Sequence, residues 1–342
     1  MNEMDMEYCL SALRALLAID SPSGFTEKVS DYLIDELTRL GYEPHKTRKG
    51  GVVCCLGGEG NGLMLMAHVD TLGGIVSTVK SNGRLTISPV GGLRAENCET
   101  ENCRVYTRFS GTYSGTLQLC NASVHVNGDY NDQKRTFQST EVVLDEPVGS
   151  AQDTRALGIE VGDFVCFDPR TVITDSGYIK SRFLDDKLSA AMLLAFAKEI
   201  REHDRTLKRK VYLHFTVYEE VGHGASASVP EDVEELISVD MGCVGDGLTC
   251  TEREVSICAK DSGGPYDYGV TTALVEAAKA AGVKYAVDVY PYYGSDVEAS
   301  LRAGYDVRHG LIGAGVYASH GYERSHIEGV ENTLKLLEAY TL

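Results

Sequence analysis

Two short runs constrain this chain more than anything else in it: residues 63–67 (Leu-Met-Leu-Met-Ala) and residues 211–217 (Val-Tyr-Leu-His-Phe-Thr-Val). Both are mostly apolar and β-favouring, without the polar alternation of a half-exposed strand. Both faces must therefore be covered, as happens when helices pack on either side of a parallel sheet. Helical periodicity flanks the runs. Val29, Tyr32, Leu33, Leu37 and Leu40 recur at steps of three and four and Gly41 supplies a stop, which predicts an amphipathic helix over 26–40. Residues 188–200, 271–281 and 331–340 are helical by the same periodicity. Strands alternating with helices predict an α/β fold with a mixed, mostly parallel sheet flanked by helices.

From about 74 to 176 the pattern changes. Short alternating runs at 84–87, 123–126 and 141–144 are separated by Gly, Asn and Asp, with no helical periodicity between them. We expect residues 74–176 to form an inserted small all-β domain, and residues 1–73 plus 177–342 to form one α/β domain from both flanks. A chain of 342 residues, at roughly 150 residues per domain, suffices for two domains whose cores need no disulfides. The ten cysteines form no C-x-x-C pair and read as reduced thiols. Cys98 and Cys103 have the one spacing at which a disulfide or soft-metal clip is conceivable.

The chain carries 50 acidic against 32 basic residues, a net charge of −18, and no stretch gathers enough Lys and Arg to neutralise a phosphate backbone, which argues against a nucleic-acid partner. Excess carboxylate suits a protein that collects cations and equally suits a soluble surface. No apolar stretch approaches the roughly 18–20 residues of a membrane span, so no membrane partner is expected. The N-terminus is acidic where a signal peptide would be basic, so the expected location is the cytoplasm.

Candidate chemistry gathers at strand ends, where open α/β sheets bind ligands. His68 emerges there in Ala67-His68-Val69-Asp70. Asp70 can accept a hydrogen bond from the imidazole nitrogen that a metal does not use, and a satisfied structural histidine explains the same residues equally well. Asp185 and Asp186 precede the 188–200 helix. Capping of free amides explains Asp186, whereas Asp185, at the end of a turn, is better placed to bridge two cations. Glu219 and Glu220 follow the second run; adjacent carboxylates at a buried lip are costly without a cation or a shared proton, with a solvated loop as the plain alternative. Since neighbours at a strand end point to different sides, one can ligate metal while the other acts as general base. Asp240 ends the run 236–239, and His320 lies in Ser319-His320-Gly321-Tyr322-Glu323. Two imidazoles and three carboxylates suit Zn²⁺, Co²⁺ or Mn²⁺ rather than Ca²⁺, and five donors with one bridging carboxylate suit two ions. His45, His125, His203 and His214 lie in no such cluster.

The order AHVD, LDD, EEVG, then Asp240, then a C-terminal SH resembles the dinuclear metal aminopeptidases of the tetrahedral (glutamyl, deblocking) aminopeptidase family, over nearly the whole chain and including the position of the insertion. The resemblance implies a zinc-exopeptidase-like fold and removal of the N-terminal residue of short peptides, using a water that bridges two divalent ions (Zn²⁺ or Co²⁺, with Mn²⁺ a further option) and Glu219 as general base. It implies His68 and Asp240 as terminal ligands of one ion, Glu220 and His320 of the other, Asp185 as the bridge and Asp70 as the partner of His68. It further implies a β-barrel-like 74–176 domain that carries subunit contacts, with dimers assembling into a larger particle such as a dodecamer. Two departures stand out. Lys187 replaces the family's usual Arg, and the last ligand commonly sits in an I-H-S-P-like segment, which makes His326 a rival to the favoured His320. The Gly-containing segments 261–265 and 293–296 fall where the family places loops around the substrate cleft, and plain turns explain them equally well. A related dinuclear amidohydrolase acting on an N-acyl or dipeptide-like metabolite, or an inactive homologue serving in assembly or peptide binding, would be written with similar motifs.

Overall fold

The computed structural model describes residues 3–342. They form two compact units, one made of Thr71–Pro169 and the other of the chain up to Asp70 together with Arg170–Leu342.

The larger unit is built on a mixed twelve-stranded sheet. At its centre Gly62–His68 has all seven residues buried between two parallel neighbours, Lys210–Thr216 and Val233–Val239. Arg308–Tyr317 continues the parallel set, and Val52–Gly57 pairs antiparallel with Lys210–Thr216. This double coverage is why the central strands read as continuous apolar runs. The Leu184–Glu202 helix packs on Gly62–His68 and on the Glu3–Ala18 helix, and residues 190–197 are buried throughout. Lys187 is buried at its start, where Nζ donates to the carbonyls of Leu16 (2.9 Å) and Ile19 (2.6 Å). An ammonium at the C-terminal end of Glu3–Ala18 complements that helix's exposed carbonyls.

The periodic segments form Glu27–Arg39, Tyr268–Ala280 and Ile327–Thr341. Glu3–Ala18 and the short Asp296–Arg302 helix were not anticipated. Among the described residues no helix is long and apolar enough to cross a membrane.

The smaller unit is a closed barrel of Gly73–Val79, Leu85–Val90, Thr140–Leu144, Thr112–Leu119, Asn102–Tyr106 and Phe164–Phe167, in that order around the wall. Closure leaves no strand edge unpaired, and Val76, Leu85, Ile87, Val105, Leu117, Val142 and Val165 are buried. Residues 123–126 are a turn and not the expected alternating run: the amides of Val126 and Asn127 both donate to the Ser123 carbonyl, and the Asn127 side chain donates to Asn121 O at 2.8 Å. Asparagine side chains compete with strand ladders in this way. One six-residue helix, Ala151–Ala156, starts at Ser150. Val172–Ile173, grouped with the insertion on sequence grounds, pairs instead with Tyr178–Ser181 in the larger sheet. All ten cysteines are free thiols, with Cys98 and Cys103 buried.

Candidate metal centre and active site

The site grows from the ends of the central strands. His68 is the last residue of its strand, and Asp240 follows Val233–Val239. After Lys210–Thr216 the chain turns through Tyr218 (φ 73°) and Gly222 (φ 82°), left-handed residues that bracket the Glu219–Val221 turn. Asp185 and Asp186, joined by a cis peptide, have non-helical backbone where Leu184–Glu202 begins. His320 lies between Arg308–Tyr317 and Glu323–His326.

These five sources converge. His68 Nε2 is 3.0 Å from Asp185 Oδ1 and 3.8 Å from Glu219 Oε2. His320 Nε2 is 3.5 Å from Asp185 Oδ2 and 3.6 Å from Glu220 Oε2. Donor atoms of His68, Asp185 and Asp240 lie within 4.8 Å of one another, as do those of Asp185, Glu220 and His320. Asp185 belongs to both groups and Glu219 to neither. His326 lies elsewhere: its Nδ1 accepts the Glu328 amide at 3.0 Å as the cap of Ile327–Thr341, and its Nε2 is 2.9 Å from the Ser176 carbonyl.

Two expectations need correcting. The His68 Nδ1–H donates to the backbone carbonyl of Asp70 at 2.9 Å, while the nearer Asp70 carboxylate oxygen is 3.7 Å away. That carboxylate instead accepts the amides of Glu219 (3.1 Å) and Glu220 (3.3 Å) and the Ser23 hydroxyl (2.5 Å). Asp70 thus organises the Glu219–Val221 turn. Asp186 is not a simple helix cap either. Its Oδ2 accepts the His68 amide at 3.2 Å, and its Oδ1 is buried without a hydrogen-bond partner among the described residues.

Further residues shape the site in roles that sequence could not assign, although the segments 261–265 and 293–296 were singled out there. Buried Glu323 accepts the Asp185 amide on one oxygen (3.0 Å) and the His320 amide on the other (2.9 Å), so one carboxylate fixes two candidate ligands. Asp296 accepts the Thr216 hydroxyl and the Ala225 amide at 2.7 Å, anchoring both sides of the turn. Tyr293 donates to the Met241 carbonyl at 3.2 Å, and its backbone is pinned to Ser262. The segments 261–265 and 293–296 are therefore bonded to each other.

Electrostatically the cluster is short of positive charge. Burial, reinforced by neighbouring carboxylates, pushes Glu219 and Glu220 well above the usual carboxylate range. Burial and the Asp185 charge lift Asp240 to about 7 and Glu323 to about 8. Asp185 moves the opposite way: burial would raise it, but His320 and His68 hold it below its ordinary value. Burial opposes the charge on His320, yet Asp185 and Glu220 lift it to about 10. Buried carboxylates of this kind are stabilised by paired cations. Two nitrogen and oxygen donor triads sharing one carboxylate fit two divalent ions of the Zn²⁺, Co²⁺ or Mn²⁺ type.

A family described as M42 glutamyl aminopeptidase matches residues 50–336. YhfE of Bacillus subtilis is 43% identical over 97% of this chain and 96% of its own length. Among solved structures, the aminopeptidase APDkam598 of Desulfurococcus kamchatkensis superposes with a TM-score of 0.88 at 22% identity, over 99% of this chain and 95% of its own. The Pyrococcus horikoshii TET1 peptidase, described as assembling into a tetrahedron or a large octahedral shell, gives 0.84 at 21% identity over 97% of this chain and 98% of its own.

Proposed function

Because the chain belongs to the M42 glutamyl aminopeptidase family, whose members are metal-dependent peptide-bond hydrolases, we propose that it removes the N-terminal residue of short peptides. The observation that carries this reading is Asp185 shared between two donor triads while Glu219 stands beside them, outside both. His68 and Asp240 would hold one divalent ion and Glu220 and His320 the other, with Asp185 common to both. Zn²⁺ or Co²⁺ suits these donors, with Mn²⁺ a further option. When bound, such ions polarise the scissile carbonyl and acidify an attacking water.

The protein's own groups do the rest. Glu219 takes the proton of the attacking water on its carboxylate and returns it to the leaving amine. Burial, which raises the proton affinity of Glu219, suits it to both halves of that transfer. Asp70 keeps the turn in place by accepting the amides of Glu219 and Glu220.

The test separates chemistry from ligation. Glu219→Gln should retain metal and peptide binding while kcat falls by about 10²–10⁴, the usual contribution of a general base. Glu220→Gln should lose metal together with activity. Equal metal loss in both variants would make Glu219 a ligand, and near-normal turnover in Glu219→Gln would remove it from the chemistry.

We assign subunit contacts to the barrel unit, with dimers building a larger homo-oligomeric particle, possible sizes including a dodecamer. Phe109, 92% exposed, and exposed Val124, Val126 and Val161 give that unit apolar surface to cover. A monomeric mass in solution at micromolar concentration would overturn the assignment. The ten free thiols suit the reducing cytoplasm as the place of action.

A further inference from the structure

A cavity of about 390 Å³ is lined by residues 24–28, by residues 46–50 and by Tyr218, the residue directly before Glu219. Lys28, Lys46, Arg48 and Lys49 line it against a single acid, Glu27. In a chain whose net charge is −18, four cations around one small cavity run against the overall composition. Three links join this cavity to the site described above. Ser23, which precedes the lining residue Gly24, donates to the Asp70 carboxylate. Lys49 Nζ donates to the carbonyls of His223 and Gly224 (2.6 Å to the latter) and to Ser226 Oγ at 3.0 Å, holding the segment that follows Glu220. Tyr218 stacks on His223 with ring centroids 5.1 Å apart. Lys46 is paired with Asp31, and Arg48 is exposed.

We propose that this cavity is a subsite for a carboxylate of the peptide substrate, with Arg48 as its partner. The inference rests on the peptidase reading and narrows its substrate class. A short unblocked peptide is a zwitterion. The aminopeptidase reading places its amino end at the centre built on Asp185, Glu219, Glu220 and Asp240, and its carboxylate end is attracted to the cationic cavity, whose lining includes Tyr218, the residue before Glu219. The separation of the two regions sets the length of peptide that can reach both, since an extended chain advances about 3.3–3.6 Å per residue. Guanidinium is the suited partner because its planar fork matches a carboxylate. The same chemistry is available from a C-terminus or from an acidic side chain.

Three tripeptides with a common N-terminus distinguish these sources: Ala-Gly-Gly, its C-terminal amide, and Ala-Glu-Gly amide. With the metal-loaded wild-type enzyme, KM for Ala-Gly-Gly amide should exceed that for the free acid about tenfold, as one lost charge-assisted contact implies, while kcat changes less. In Arg48→Glu the ratio should collapse to about one or invert, with Arg48→Gln between. A low KM for Ala-Glu-Gly amide together with no preference for the free acid would assign the cavity to a side-chain carboxylate. A wild-type ratio near one for all three peptides, or a ratio unchanged in Arg48→Glu, overturns the proposal. Calorimetric binding of the same peptides to Glu219→Gln keeps the two readings apart. If no peptide is hydrolysed by the wild type, carboxylate-dependent binding that Arg48→Glu abolishes still supports the subsite, and binding indifferent to the carboxylate refutes it.

Discussion

In the barrel, buried Glu141 is met on one oxygen by Lys80 at 2.5 Å and on the other by Arg84 at 2.5 Å. In the larger unit Asp185, Asp186, Glu219, Glu220 and Asp240 converge around the imidazoles of His68 and His320. Burial alone would raise Glu141, yet its two cations hold it below the ordinary carboxylate range, whereas most of the strand-end acids are pushed up. The barrel acid is neutralised by its own chain, so it is a structural element complete in itself. The strand-end acids leave positive charge to be supplied from outside, which is the mark of a site and not of a core.

Chelation should break the comparison most visibly. Removing divalent ions should bring peptide turnover to background and lower hydrogen-exchange protection around residues 219–225, while amides next to Glu141 keep theirs. Equal loss of protection in both places would mean that the two acidic clusters do not differ in kind. Next in size is Glu323→Gln. The amide can accept one of the two backbone N–H groups that Glu323 accepts, and it turns a donor toward the other. One of two metal equivalents should then bind about 10–100-fold more weakly, as read by titration calorimetry; wild-type binding of both equivalents would make Glu323 incidental. In the barrel, Lys80→Met combined with Arg84→Met strands a buried carboxylate. Because both cations are partly exposed, we expect a loss of about 1–3 kcal/mol by denaturant unfolding with unchanged metal stoichiometry.

The smallest effect concerns a third way of burying an ionisable group. His214 is enclosed in the Lys210–Thr216 strand, and burial, with Lys49 and His45 adding to it, pushes its imidazole down to about 3. It stays neutral in the folded state but takes up a proton below about 6.5 when unfolded. Its contribution is therefore intact above that pH and is lost as pH falls from about 6.5 toward 3. Between pH 7 and 5 it should account for about 1–2 kcal/mol of lost stability, and His214→Leu should flatten that part of the pH profile. An unchanged slope would show that His214 is charged in the native protein.

Much of the site was legible because its determinants are local. A strand buried on both faces leaves an apolar run, and whatever follows it is delivered to the sheet's end, so His68, Glu219, Glu220 and Asp240 could be read in order. Asp70 was legible as a residue but not in its job, since two of the three donors to its carboxylate are amides about 150 residues away and sequence shows side chains, not backbone donors. Glu323 and Asp296 were hidden for the same reason. The Glu3–Ala18 helix was overlooked although its signal was present: Cys9, Ala12, Leu13, Leu16 and Leu17 are buried at helical spacing. In residues 123–127 the alternation was genuine, and side-chain hydrogen bonding by Asn127 outweighed it.

The order of the two units along the chain sets a timetable for synthesis. At about 5–20 residues per second, the carbonyls of Leu16 and Ile19 wait roughly 10–30 s for Lys187, which lies 171 and 168 residues further on. The central Gly62–His68 strand likewise emerges long before either of its parallel neighbours, Lys210–Thr216 and Val233–Val239. Thr71–Pro169, by contrast, is one uninterrupted segment whose barrel pairs only with itself. It can close on the ribosome while the apolar central strand is still without partners. The donors that share Asp185 are complete only when His320 has been made, so a nascent chain carries a finished barrel well before it can present a finished cation site.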